Sequence, residues 1–147
     1  MAHLCWSLRL HKTPLHKLPL HSALCVAKME IFTVRKLKEK YTGGERNFSG
    51  IEIEENPNEF IGVCLEGCDF SQSFICGNFS GASLRGSNFS NANLKTSLFE
   101  KADLEGCNFS NSALCATTFK GANLKGAVFS GAYFHSCKLG EGEIPNW

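Results

Sequence analysis

The side chains best suited to chemistry in this chain are those of its cysteines and histidines. The sequence has eight cysteines and five histidines in 147 residues. Cys64 and Cys68 are close enough in sequence to bind one metal ion if both thiolates face the same way. Cys115 and His135 can form a nucleophile and its base if the fold brings them together. Which of these pairs can act depends on the elements that position them.

A large apolar residue recurs at every fifth position in the second half of the chain. The members of this series are Phe79, Leu84, Phe89, Leu94, Phe99, Leu104, Phe109, Leu114, Phe119, Leu124, Phe129, Phe134 and Leu139. A small residue, such as Ala82 or Ser87, stands two positions before each of them. A period of five matches neither the 3.6 of a helix nor the 2 of a strand, so it indicates a repeat protein.

Each five-residue unit fits one side of a square turn, with the large residue and the preceding small residue pointing inward. Units that stand four repeats apart agree in type, so a coil closes after four units and coils stack at about 4.8 Å. The predicted inward columns are Phe89, Phe109 and Phe129; Leu84, Leu104 and Leu124; Phe79, Phe99 and Phe119, ended by Leu139; and Leu94 and Leu114, ended by Phe134. The pattern therefore predicts a stack of four-sided coils whose faces alternate Phe and Leu.

The individual units also carry a recognisable order of residues. Ala92-Asn93-Leu94, Ala102-Asp103-Leu104 and Ala122-Asn123-Leu124 each place Asn or Asp between Ala and Leu. These units resemble the A(D/N)Lxx pattern of the pentapeptide-repeat family, a family abundant in cyanobacteria whose members often have no assigned role. The resemblance implies an all-β fold, a right-handed quadrilateral parallel β-helix of about four to five coils, with a short N-terminal α-helix as its cap.

The chain divides into four predicted segments. Residues 1–28 contain basic residues but no acidic residue. We expect a disordered extension there, and the alternatives are a targeting segment or sequence upstream of a true start at Met29. Residues 29–44 have apolar residues near helical spacing and predict an amphipathic helix that covers one end of the repeat. Residues 45–140 form the repeat, and residues 141–147 form a C-terminal tail.

Two irregularities interrupt the early part of the repeat. Residues 54–58, which include Pro57, break the rhythm and predict a protruding loop. Phe70 and Phe74 are only four residues apart, so Phe74 is predicted to point inward after a tightened corner.

The outward positions bear on function. One predicted outward column contains Arg85, Glu105 and Lys125, and the whole chain has a formal net charge of +1. Alternating charges on adjacent coils stabilise such a stack by about 0.2–1 kcal/mol per pair. Some proteins of the family that this chain resembles mimic DNA and protect type II topoisomerases, which implies faces of one charge sign. The mixed signs make that role the alternative, and the absence of a basic stripe predicts no nucleic-acid partner.

The repeat predicts that the cysteines have structural rather than catalytic or metal-binding roles. Cys64 is predicted to face outward and Cys68 inward, so they do not converge on a metal ion. Cys115 and His135 stack on a flat face that has no cleft. We therefore expect no enzyme activity, no metal and no cofactor. The free thiols predict a cytoplasmic location, and the alternative is export or import into an organelle if residues 1–28 are a targeting segment.

The expected function is that of a non-catalytic interaction or structural module, with a protein partner and no membrane contact. Asn or Asp normally precedes the large residue of each unit, but some of these outward positions hold apolar residues. The proposed interaction patch, which also suggests a homodimer through the C-terminal end, consists of Leu98, Val128, Tyr133, Ile144 and Trp147.

Overall fold

The computed structural model describes residues 32–53, 57–134 and 137–145. The predictions for residues 1–28, for most of the loop and for His135 and Trp147 therefore lie outside the described residues. The regular elements are α1 (Val34–Thr42), β1 (Glu52–Ile53), a 3₁₀-helix (Pro57–Phe60), β2 (Phe74–Ile75), β3 (Tyr133–Phe134) and β4 (Cys137–Lys138). No helix in these ranges is long and apolar enough to cross a membrane.

Isolated parallel bridges connect most of the chain between β2 and β3. Asn78 pairs with Leu98, and Leu98 pairs in turn with Thr118, so partners lie one predicted coil apart. The backbone N–H of Phe79 donates to the carbonyl of Leu98 at 2.7 Å, which continues the same ladder. Each coil therefore satisfies the backbone groups of its neighbours, as buried amides require. This register agrees with the predicted coil of four pentapeptides.

Stacked aromatic rings fill two opposite columns of the interior. In the first column, ring centroids of Phe89 and Phe109 lie 5.2 Å apart with an interplanar angle of 5°. In the second, Phe79 and Phe99 are stacked at 4.9 Å. The two columns meet edge to face, as between Phe99 and Phe109 at 5.9 Å. Leu84, Leu94, Leu104 and Leu114 occupy the other two columns and are fully buried, which confirms the alternation of Phe and Leu.

The first coils depart from the regular period. Asn47 pairs with Asp69, so the first coil is longer than the later ones, whereas Cys64 pairs with Ser83, so the next coil is shorter. The 3₁₀-helix Pro57–Phe60 contains part of the additional length.

The prediction that Phe74 points inward is wrong. Ile75 is 1% exposed and stands in the column of Ile53, its partner in the parallel pairing of β1 with β2. Phe74 is half-buried in the outward position. Ser73 already occupies the small inward position two residues before Ile75, so the regular small-to-large spacing decides in favour of Ile75. The shortened unit lies between Ile75 and Phe79.

Helix α1 begins later than the predicted segment 29–44. The Thr33 hydroxyl accepts a hydrogen bond from the N–H of Lys36 at 3.1 Å, so Thr33 is the N-cap. Val34 and Leu37 are fully buried. Phe32, which precedes the helix, donates its N–H to the carbonyl of Glu52 at 2.9 Å and meets the ring of Phe48 edge to face.

The repeat ends before Leu139, contrary to the prediction that Leu139 closes the column of Phe119. Strands β3 and β4 are antiparallel, with Phe134 opposite Cys137. The N–H of Leu139 donates to the carbonyl of Ala132 at 2.8 Å. The chain has therefore reversed its direction, and Leu139 lies against the last coil as a partly buried residue.

Candidate functional site

The outward positions before each large residue shape the corners of the coils. The Asn88 Oδ1 atom accepts the N–H of Ser90 at 3.1 Å, and the Asn108 Oδ1 atom accepts the N–H of Ser110 at 3.0 Å. This is the Asx-turn geometry, in which the side-chain oxygen accepts a hydrogen bond from the backbone N–H two residues later in the chain. The prediction that these amides are corner residues is confirmed.

A line of alternating charges crosses one face of the coils. The Arg85 guanidinium lies 3.3 Å from the Asp103 carboxylate and 3.1 Å from that of Glu105. The Lys125 ammonium lies 3.9 Å from the same Glu105 carboxylate. Lys125 is 81% exposed, so it contributes little to stability and remains accessible to solvent. The face therefore presents cations and anions in turn rather than a field of one sign.

The thiols are arranged as buried structural groups and separate surface groups. Cys68 and Cys107 are buried, whereas Cys64 is exposed and Cys115 is half-buried. Desolvation raises the pKa of Cys68 to about 11 and that of Cys107 to about 12, which disfavours the reactive thiolate.

The geometry agrees with the prediction that Cys64 and Cys68 face in opposite directions. Within the described ranges, no group of three His, Cys, Asp or Glu side chains is placed to hold a metal ion. The predicted contact of Cys115 with His135 is not tested, because His135 lies outside those ranges.

A second polar cluster joins α1 to the coils. The Arg46 guanidinium lies 3.8 Å from the centroid of the Tyr41 ring, and the Tyr41 hydroxyl accepts the N–H of Glu66 at 3.2 Å. Burial, followed by the hydrogen bond to Cys64, raises the pKa of Tyr41. These contacts tie Tyr41, near the C-terminal end of the helix, to the adjacent coil, so the cluster has a structural explanation.

The predicted apolar patch is only partly continuous. Val128 and Tyr133 are 47% and 50% exposed, and they stand on neighbouring faces of the last coil. Leu98 is 37% exposed but pairs with Thr118 on another face. Ile144 is 52% exposed in the tail, and Trp147 lies outside the described residues.

Sequence reasoning missed an open edge at the C-terminal end of the repeat. Ala122 and Leu124 are only partly buried there, although their equivalents one coil earlier, Ala102 and Leu104, are 1% and 0% exposed. The available signal was a break in the pattern: twenty positions after Ala122-Asn123-Leu124, residues 142–144 read Gly-Glu-Ile.

Together, these features define a class: a repeat protein with a coiled parallel ladder, an aromatic interior and polar outer faces. A sequence model described as a pentapeptide repeat region matches residues 72–146. The chain therefore belongs to the pentapeptide-repeat family, and its resemblance to that family is confirmed. Proteins of this family are generally structural or interaction proteins and not enzymes.

Several solved structures are similar to this chain. The pentapeptide repeat protein alr5209 from Nostoc PCC 7120 is 30% identical, and the match covers 78% of this chain and 90% of that one, with a TM-score of 0.41. Rfr23 from the cyanobacterium Cyanothece 51142 is 22% identical over 55% of this chain and 54% of its own, with a TM-score of 0.33.

A third similar structure is that of QnrB1, described as a plasmid-mediated fluoroquinolone resistance protein. It is 27% identical, and the match covers 60% of this chain and 50% of QnrB1, with a TM-score of 0.24. Among curated proteins, no sequence matches this chain significantly.

Proposed function

We propose that this protein is a non-catalytic interaction or structural module whose rigid coils present side chains to another protein. One observation carries the proposal: the outward side chains stand at fixed intervals on a ladder of backbone hydrogen bonds, such as that from Leu94 N–H to the Ala113 carbonyl at 2.9 Å. Because the backbone that carries these side chains is already ordered, the protein loses less conformational entropy when a partner binds, which favours binding.

The proposal includes the handedness of the coils, their number and the cap at the N-terminal end. We take the coils to form a right-handed, four-sided helix of about four to five turns, with α1 as the cap of its N-terminal end. Support for the cap comes from Phe32, Val34 and Leu37, which are all buried beside the first coil. An apolar end without such a cover would expose unpaired strand edges.

For the partner, we propose a protein in a reducing, cytoplasmic environment, and neither a nucleic acid nor a membrane. The free thiols of Cys64, Cys68, Cys76, Cys107 and Cys115 support this location. The mixed charges of Arg85, Glu105 and Lys125 support a protein partner, because phosphate backbones attract surfaces with a basic stripe. The apolar residues Val128 and Tyr133 offer additional contact area.

The alternative function is protection of a topoisomerase by DNA mimicry. We consider this function because the chain is similar to QnrB1, a fluoroquinolone resistance protein. A mimic of DNA must present closely spaced negative charge, and the Arg85 and Lys125 side chains interrupt the acidic residues on the charged face.

A gyrase supercoiling assay separates the two functions. The full chain is added to gyrase with and without a fluoroquinolone. An interaction module with mixed charge leaves supercoiling unchanged at concentrations comparable to that of the enzyme, whereas a DNA mimic inhibits or protects it. Inhibition or protection there would replace the proposed function by its alternative.

Affinity capture from the native cells provides the positive test. The full chain is compared with a variant that carries Leu98→Asp, Val128→Asp and Tyr133→Asp, all at exposed positions. A protein enriched by the first and lost with the second supports the patch. Failure of the full chain to retain any protein above the level of an unrelated control would contradict the module function.

A further inference from the structure

Among the residues that the structure describes, the last coil, residues 119–134, has backbone groups on one face without partners. One coil earlier, Leu104 N–H donates to the Asn123 carbonyl and Gly106 N–H donates to the Lys125 carbonyl, each at 2.9 Å. The equivalent N–H groups of Leu124 and Gly126 donate to no acceptor among the described residues. We call residues 122–126 the open edge.

The hairpin formed by β3 and β4 does not cover the open edge with any of its described residues. It pairs instead with the end of the coil: Gly131 N–H donates to the Leu139 carbonyl, and Leu139 N–H donates to the Ala132 carbonyl, each at 2.8 Å. The carbonyl of Ala122 also accepts no hydrogen bond within the described part of the chain, whereas that of Ala102 accepts the N–H of Asn123. Donors and an acceptor thus alternate along the open edge as they do along an unpaired strand.

Charge alternates from coil to coil along the stack. Residues 60–78 carry Glu66 and Asp69 and no basic residue, while residues 79–98 carry Arg85 and Lys95 and no acidic one. The next two coils repeat this order. Residues 99–118 carry Glu100, Asp103 and Glu105 with Lys101, and residues 119–134 carry Lys120 and Lys125 with no acidic residue. The open edge therefore belongs to a basic coil, and the coil that would follow in this order is acidic.

We propose that the open edge binds an extended acidic segment of a partner protein, which adds to the coil as a further strand. This inference rests on the proposed interaction-module function and names the chemistry of its partner. The required sequence is an apolar residue followed by Asp or Glu. The apolar side chain covers partly buried Leu124, and the carboxylate lies over Lys125.

The molecule contains a precedent for this arrangement. Residues 102–106 lie on the equivalent edge one coil earlier, where the carbonyl of Asp103 accepts Leu84 N–H at 2.9 Å and that of Glu105 accepts Gly86 N–H at 2.8 Å. The Glu105 carboxylate contacts Arg85 at 3.1 Å. A second copy of the chain fits less well, because joining two open edges would bring two basic coils together.

A synthetic peptide with the sequence of residues 99–106 is a direct probe. We expect it to bind the full chain in an NMR titration, with the largest amide shifts at Leu124 and Gly126. A control peptide carries Asp103→Lys and Glu105→Lys. Its affinity should be roughly tenfold lower, because like charges then face each other across the strands.

Charge reversal in the protein completes the test. Lys125→Glu should weaken binding of the acidic peptide and strengthen binding of the lysine peptide. Lys95→Glu, the same change at an exposed position of another coil, should alter neither affinity. Because the Lys125 side chain is 81% exposed, its substitution should leave the fold intact. Amide spectra of each variant verify the fold.

Two outcomes would overturn the acidic-segment proposal. One is that both peptides bind equally, or that neither binds. If affinity capture still yields a cell protein in that case, the interaction-module function stands but its partner is not an acidic segment. The other is a dimer by sedimentation in which Leu124 and Gly126 amides are already protected from hydrogen exchange, since a second copy would then occupy the open edge.

Discussion

The coils before Phe79 and those after it use the same five-residue unit but close several of their turns differently. In the later coils, the N–H of the small inward residue donates directly to the carbonyl three positions back, as from Ala92 to Phe89 at 3.1 Å. At three turns of the earlier coils, a serine of the next coil stands between the two groups. The Ser87 hydroxyl accepts Cys68 N–H at 3.1 Å and donates to the Leu65 carbonyl at 3.0 Å.

Two further serines repeat this bridge. Ser73 connects Ile51 N–H with the Phe48 carbonyl, and Ser97 connects Gly77 N–H with the Ile75 carbonyl. The comparison teaches that the irregular coils depend on side chains supplied by the coils that follow them. A buried peptide group without its turn partner needs such a replacement.

The largest expected effect comes from Gly77→Ala, at the boundary between the two regions. A Cβ atom there would lie 2.8 Å from Phe60 Cδ2 and 3.1 Å from Phe79 Cε2. These rings are 4.4 Å apart, closer than Phe79 and Phe99 at 4.9 Å. We expect chemical denaturation to show a loss of about 2–3 kcal/mol in unfolding free energy. An unchanged midpoint would mean that the rings adjust freely.

Ser87→Ala tests the hydroxyl bridge itself. It should cost about 2 kcal/mol, because Cys68 N–H and the Leu65 carbonyl lose their buried partner. The matched control is Ser112→Ala. The Ser112 hydroxyl donates only to the Phe109 carbonyl, which also accepts the Ser112 N–H, so we expect a loss of less than about 1 kcal/mol. Equal losses in urea denaturation would remove the distinction between the two regions.

Cys107 occupies the position of Ser87 one coil later and is expected to make stability depend on pH. Burial raises its pKa to about 12 from the ordinary thiol value of 9.0. Its contribution is fully present below pH 9 and is lost as the pH rises toward 12, because the unfolded thiol ionises first. Relative to Cys107→Ala, the wild-type chain should lose about 1.4 kcal/mol between pH 7 and pH 10. Parallel pH profiles for the two proteins would show that the thiol does not contribute.

The smallest effect is expected at a corner of the later coils. Ala116 has φ of 58°, in the left-handed region that the equivalent Gly106 occupies with φ of 70°. Ala116→Gly should stabilise the protein by about 0.5 kcal/mol, and Gly106→Ala should destabilise it by about 1 kcal/mol. Thermal unfolding midpoints that moved in the opposite directions would contradict a common corner geometry.

Much of the fold could be predicted because its rules are local. The spacing of Phe89, Phe109 and Phe129 gave the aromatic column, and Asn88 gave its corner. The candidate patch was harder to predict. The sequence shows that Leu98 is apolar and outward, but its separation from Val128 depends on the face that each occupies.

The sequence by itself determined the repeat, its period, the alternating inward columns and the charge order of the coils, because all of these follow from residue type and spacing along the chain. Only the tertiary structure decided that Ile75 replaces Phe74 in the interior, that serines bridge the earlier turns and that Leu139 folds back. Each of these depends on contacts between successive coils or on the end of the stack. The open edge exists for the same physical reason: a hydrogen-bonding ladder is complete only where another coil follows.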